Sequence, residues 1–166
     1  MLDDPRLTAV GLLEEARAGL QDLFSEQLAE HSLSPLEFEV LLRLSRSADH
    51  RLRMADLAAQ VLMSASGLTR VVDRLEAADL VTRGSCAEDR RGTWAILTDE
   101  GLSRLLVALP GHLEVIERWY TGVLHPDQLV TLLESMRIVR DLVRPGATAG
   151  ACASPEPVDP VGPDVR

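Results

Sequence analysis

The chain has 166 residues, 46% of them hydrophobic, and a formal net charge of −9, which suits one domain whose core needs neither metal nor disulfides to fold. Two cysteines, Cys86 in a loop-like stretch and Cys152 in a Pro-rich tail, exclude a disulfide framework and fit a reducing compartment. The apolar residues are mostly Leu, Val and Ala with only 3% aromatics, a balance of helical proteins rather than sandwiches or barrels, so the expected class is mainly α.

The opening "MLDDPRLTAVGLLEE" has no basic stretch followed by a clean apolar run, and no window approaches the length of an uncharged membrane span. The expected location is therefore cytoplasmic, with no membrane partner. From Arg6 to about Glu30, Leu7, Val10, Leu13, Leu20, Leu23, Phe24 and Leu28 trace a long amphipathic helix. "SPLE" then places Ser34 as N-cap, Pro35 at the first helical position and Glu37 at the third, a capping box opening a second helix.

A loop through Asp49 and His50 leads to a short helix, "RMADLAAQV", with Met54, Leu57, Ala58 and Val61 inward. "LMS" makes a tight turn ending at Ser64, the N-cap of the next helix. In that helix Leu68, Val71, Val72 and Leu75 share one face, leaving Ser66, Thr69, Arg70, Asp73 and Arg74 on the other. "LVTRG", "SCAEDRRG" and "TWAILT" then read as strand, loop and strand, with Gly84 and Gly92 near the bends.

Thr98 caps a helix carrying Asp99 and Glu100 in its first turn, where the helix dipole favours them. Pro110-Gly111 is expected to kink or interrupt it before "HLEVIERWYTGVL" resumes. Pro126 opens the last helix, with Leu129, Leu132, Leu133, Met136, Val139 and Leu142 in one stripe. From Pro145 the chain is Pro-rich and aperiodic, the signature of a disordered tail.

Charge is distributed unevenly. Residues 51–91 hold seven Arg against six acids, a balance of +1, while the remainder holds ten Arg against twenty, a balance of −10. Two short helices joined by a tight turn and followed by a two-stranded ribbon make a helix-turn-helix with a wing. The second helix begins with Ser64, Ala65, Ser66 and Gly67, small enough for its backbone to enter a DNA major groove about 12 Å wide. Thr69 and Arg70 lie within reach of base edges or phosphates, and Arg74, one turn on, suits the backbone.

From Leu33 to about Gly101 the chain resembles the MarR family of bacterial transcription regulators, most closely over "LTRVVDRLEAADLVTRGSCAEDRRGTWAILTDEG". The family shows a similar "RLE" followed by "LV.R", a wing carrying "DRR" and a strand leading into "LT..G". The resemblance implies that Arg91 is a wing-tip arginine entering the minor groove, that Asp89 orients it, and that Arg90 or Arg83 lies near phosphates. An arginine at that place fits the minor-groove potential on general grounds. Asp79 stands where the family commonly has Gly; Asp tolerates the left-handed cap, but puts a negative charge near the DNA side.

The expected architecture is a winged helix-turn-helix (33–101) between an N-terminal dimerisation helix (1–32) and C-terminal dimerisation helices (102–144), ending in a disordered tail (145–166). The flanking Leu-rich stripes have little core left to cover, so a second copy is their simplest partner. A twofold dimer also spaces two reading helices about one helical turn, roughly 34 Å, apart on a pseudo-palindrome. The resemblance implies a small-molecule effector site between dimer helices and winged helix, with His31, His112, Arg118 and Trp119 as candidates.

The expected function is a homodimeric, sequence-specific DNA-binding regulator, a repressor released by an effector. The alternative is a winged-helix protein–protein interaction module without sequence-specific DNA binding, because fold does not fix function. Zinc sensing lacks a second His at metal spacing from His112, so no metal or cofactor is expected. Cys86, beside Ser85 and near Arg90 and Arg91, is open to oxidation in principle, although an incidental loop thiol is the simpler reading. An enzyme is not expected: the chain has no Gly-rich phosphate loop, metal cluster or Ser/His/Asp arrangement.

Overall fold

Asp4 opens the first helix, α1 (Pro5–Ala29), in a computed structural model that describes residues 3–85 and 93–145. Its carboxylate accepts from the Arg6 amide at 2.9 Å, and Pro5 sits in the first turn, where a missing N–H costs nothing. Leu28 is the helix's one buried residue, and Leu7, Val10, Leu12 and Leu13 are exposed. α1 therefore touches the core only near its C-terminal end. α2 (Pro35–Ser45) begins with the expected capping box: Ser34 Oγ accepts from the Glu37 amide at 3.3 Å and Glu37 Oε2 from the Ser34 amide at 2.9 Å. Phe38, Val40, Leu41 and Leu44 are buried along its inner side.

The expected loop through Asp49 and His50 is instead a 3-10 turn, Ala48–His50, feeding a short strand, β1 (Arg51–Arg53). Asp49 and His50 take left-handed backbone, φ 53° and 52°, a conformation Asp and His adopt more readily than most residues. Three residues are too few for a period-two pattern to stand out beside a helix start. Leu52 packs against the core, while Arg51 and Arg53 alternate outward.

α3 (Met54–Gln60) buries Leu57 and Ala58, Val61 follows them inward, and Met54 is partly buried. Leu62, at φ 61°, turns the chain into α4 (Ala65–Ala77), whose Leu68, Val71, Val72 and Leu75 are all buried as their spacing requires. β2 (Val81–Ser85) and β3 (Thr93–Leu97) pair antiparallel, from Val81 opposite Leu97 to Ser85 opposite Thr93. β1 joins the other edge of β3, so the order is β1-β3-β2 and the hairpin becomes a three-stranded sheet. Gly84 lies inside β2 opposite Trp94 rather than at a bend, and a Cβ there would stand 2.8 Å from Ile96 Cδ1. Gly92, Cys86 and Cys152 lie outside the described residues.

Thr98 Oγ1 accepts from the Gly101 amide at 3.0 Å and opens α5 (Asp99–Ile116). Contrary to the expected interruption, this helix runs through Pro110, and the irregularity falls later, at a π-helical turn over Glu117–Thr121. Proline removes the hydrogen bond to the Leu106 carbonyl, but Leu106 is exposed and water can replace it. The Gln27 side-chain amide also donates to the Ala108 carbonyl at 3.4 Å, tying this turn to α1.

α6 (Pro126–Val143) buries no residue: Leu129 and Leu132 are half-buried, and Leu133, Met136, Val139 and Leu142 are exposed. The core instead gathers α2, α3, α4, the sheet, Leu28 of α1, and Leu105 and Ala108 of α5, with no buried polar residue among the described residues. The expected disordered tail lies outside the described residues from residue 146 onward.

Candidate nucleic-acid interface

Ser64 fixes the start of α4. Its hydroxyl accepts from the Gly67 amide at 3.1 Å and lies 3.3 Å from Ser66 Oγ, so the first turn presents small polar groups to solvent. Thr69 Oγ1 donates to the Ala65 carbonyl at 2.9 Å, leaving its lone pairs outward. Arg70 is exposed and makes no ion pair among the described residues.

The next arginine behaves differently. Arg74 Nε donates to Glu37 Oε1 at 2.7 Å, joining α4 to the capping box of α2. Burial disfavours the Glu37 charge, but the Ser34 amide, Arg74 and the Ser34 hydroxyl outweigh it and hold the carboxyl below its ordinary value. Arg83 on β2 also turns back onto α4, donating to Asp73 Oδ1 at 2.6 Å, to Glu76 and to the Thr69 carbonyl at 3.4 Å. The Asp73 bond, stronger than the burial that opposes it, raises the Arg83 pKa, so this guanidinium stays charged. It fixes the angle between α4 and the wing stem.

Asp79 ends α4 at φ 59°, with the Leu80 amide donating to the Leu75 carbonyl at 2.9 Å. The left-handed cap expected of Asp79 is present, and its carbonyl accepts from Thr98 Oγ1 at 2.7 Å. Asp89, Arg90 and Arg91 lie outside the described residues. Sequence reasoning missed Arg51 and Arg53, whose guanidinium carbons stand 5.0 and 5.5 Å from the Trp94 ring centroid. The alternating "RLR" before α3 was their signal. It also saw in Glu37 only a cap.

The effector candidates divide between two recesses. Phe24, Leu36, Phe38, Arg43, Leu62 and His112 line one of about 400 Å³ between α1, α2 and the turn before α4. The His112 ring lies 4.6 and 4.5 Å from the rings of Phe24 and Phe38, and its Nδ1 is buried without a hydrogen-bond partner among the described residues. Burial lowers its pKa, against a smaller opposing pull from Glu39. His31, Arg118 and Trp119 meet in a second recess of about 280 Å³, with Arg118 over the Trp119 ring at 5.2 Å. His112 does not join them. No group of residues suited to a metal ion occurs among the described residues.

A short helix, a left-handed turn, a second helix with a buried inner face and a three-stranded antiparallel sheet together define a winged helix-turn-helix. The sequence profile of the MarR family matches residues 31–92. The chain is 32% identical over 111 residues, 66% of its length and 71% of the relative's, to the HTH-type transcriptional regulator YkoM of Bacillus subtilis strain 168. It superposes on AbsC, a MarR family transcriptional regulator from Streptomyces coelicolor, with a TM-score of 0.81 at 31% identity, over 87% of this chain and 98% of that one. Sco3205 of Streptomyces coelicolor, a MarR family regulator solved in complex with DNA, gives 0.78 at 34% identity over 85% of this chain and 88% of its own. The chain belongs to the MarR family of transcriptional regulators, DNA-binding proteins rather than enzymes.

Proposed function

We propose that the chain is a homodimeric repressor that occupies a pseudo-palindromic operator in the cytoplasm and is released by a small-molecule effector. The observation that carries the reading is the division of α4: its inner face is fully buried, while its first turns offer small polar side chains and Arg70. On this reading Ser64, Ala65, Ser66, Gly67, Thr69 and Arg70 enter the major groove, and Arg91, oriented by Asp89, enters the minor groove. Arg90 lies near phosphates. Arg74 and Arg83 reach phosphates only through side chains that also brace α4, because both already pair within the chain. That Sco3205 was solved in complex with DNA supports DNA as the partner.

The exposed apolar residues of α1 and α6 support residues 1–32 and 102–144 as dimerisation helices around the 33–101 reading head. The larger recess adjoins both the flanks and the turn before α4, so a ligand there can alter how the head is held. Its two aromatic rings and the neutral His112, beside the Arg43–Glu39 ion pair, suit a small aromatic molecule. Sedimentation should give a dimer that Leu133→Asp with Met136→Asp dissociates. Genome-wide recovery of bound DNA should return pseudo-palindromes in promoters, and their absence from the recovered fragments would overturn the reading.

A further inference from the structure

The outer face of α4 carries a hydroxyl whose proton is already committed. Thr69 is exposed in the second turn, and its Oγ1 donates to the Ala65 carbonyl at 2.9 Å. A hydroxyl has one proton and two lone pairs. With the proton turned back onto the helix, only the lone pairs face outward, so Thr69 accepts from a partner at no loss and donates to one only by breaking this bond. The serines one turn earlier differ. Ser64 and Ser66 stand 3.3 Å apart through their Oγ atoms, a bond that takes one of their two protons.

The turn that carries Thr69 is also held in place. Arg83 on β2 donates to the Thr69 carbonyl at 3.4 Å and to Asp73 Oδ1 at 2.6 Å, one turn further along the same face. The wing stem thus fixes the rotation of α4 about its axis where Thr69 projects. Arg70, the next residue, offers donors alone, so adjacent positions on the helix present opposite hydrogen-bonding character. In a major groove the purine N7, guanine O6 and thymine O4 atoms accept, while the exocyclic amino groups of adenine and cytosine donate. An uncommitted serine or threonine hydroxyl matches either kind. Thr69 matches only the second.

We propose that Thr69 is a specificity-determining residue that accepts from an exocyclic amino group of the operator, adenine N6 or cytosine N4. The proposal rests on the DNA-binding reading above. It fixes the polarity of one contact: Thr69 takes a hydrogen bond from the base and gives none.

The full chain, Thr69→Val and Thr69→Ser are each used to select duplexes from a randomised library. Val keeps the side-chain shape and removes the acceptor, whereas Ser keeps a hydroxyl able to make the same bond to Ala65. One half-site position should lose its base preference in the Val variant and keep it in the Ser variant. At that position, duplexes lacking the amino group (purine for adenine, 2-pyrimidinone for cytosine) are compared with duplexes lacking the purine N7 (7-deaza analogues) in anisotropy titrations. Removing the amino group should weaken wild-type binding about three- to tenfold, the worth of one hydrogen bond, and leave Thr69→Val unchanged. Removing N7 should shift both proteins alike. Coupling of Thr69 to N7, coupling to neither group, or the lack of any position that depends on the Thr69 hydroxyl overturns the proposal while leaving the operator reading standing. A wild type that binds no duplex overturns both.

Discussion

Arg74 Nε on the reading helix lies 2.7 Å from Oε1 of Glu37, whose other carboxylate oxygen closes the capping box of α2 on Ser34. One carboxylate therefore holds the start of α2 and the last turn of α4 together. Pro35 and Leu36, beside that cap, line the larger recess, which places the link between the recess and the reading helix.

Glu37→Gln should weaken both attachments. Loss of the charge from the capping box and from the hydrogen bond to Arg74 should together cost about 1–3 kcal/mol in urea unfolding. Because the folded Glu37 carboxyl sits below its ordinary value of 4.5, the unfolded chain binds its proton first as pH falls. Its contribution is complete above that value and is lost as pH drops through the lower folded one. The variant should show less acid destabilisation than the wild type over that window; equal acid sensitivity would remove Glu37 from the account.

His112 has the matching sign for a base. Burial depresses its pKa from the ordinary 6.5, so the fold favours the neutral ring and the unfolded chain takes up the proton first. Stability should be full above 6.5 and decline as pH falls through the folded value. A pH series of thermal melts should show this decline in the wild type and a smaller one in His112→Phe.

Gly101 is fixed by contact. A Cβ there would overlap the Leu80 carbonyl oxygen and stand 2.8 Å from Leu97 Cδ1, where α5 leaves the wing stem. The Leu80 obstacle is backbone and cannot swing aside. Gly101→Ala should destabilise the chain by about 1–3 kcal/mol or more, measured by urea unfolding.

The helices and the reading head were legible because their signals are local and repeated. The Ser34 box, the Ser64 and Thr98 caps and the spacing of Leu68, Val71, Val72 and Leu75 each follow from a few neighbouring residues. β1 was not legible, since a three-residue strand depends on β3, which lies some forty residues further along the chain. The same distance hid the Arg74–Glu37 pair and the Arg51–Trp94–Arg53 stack. Pro110 misled because its cost depends on whether the deprived carbonyl can reach water, which composition does not reveal. Net charge is uninformative for a like reason, because it averages acidic flanks with a near-neutral reading head.

The central claim, that the exposed start of α4 reads DNA, is tested most directly by Arg70→Ala. In anisotropy titrations of a recovered operator against a scrambled duplex, wild-type affinity should fall linearly in log–log form with salt. Arg70→Ala should lose about 1–3 kcal/mol on the operator, with a smaller loss on the scrambled duplex, so discrimination shrinks. Wild-type binding that ignores salt and sequence, or an Arg70→Ala variant that discriminates as well as the wild type, would contradict it.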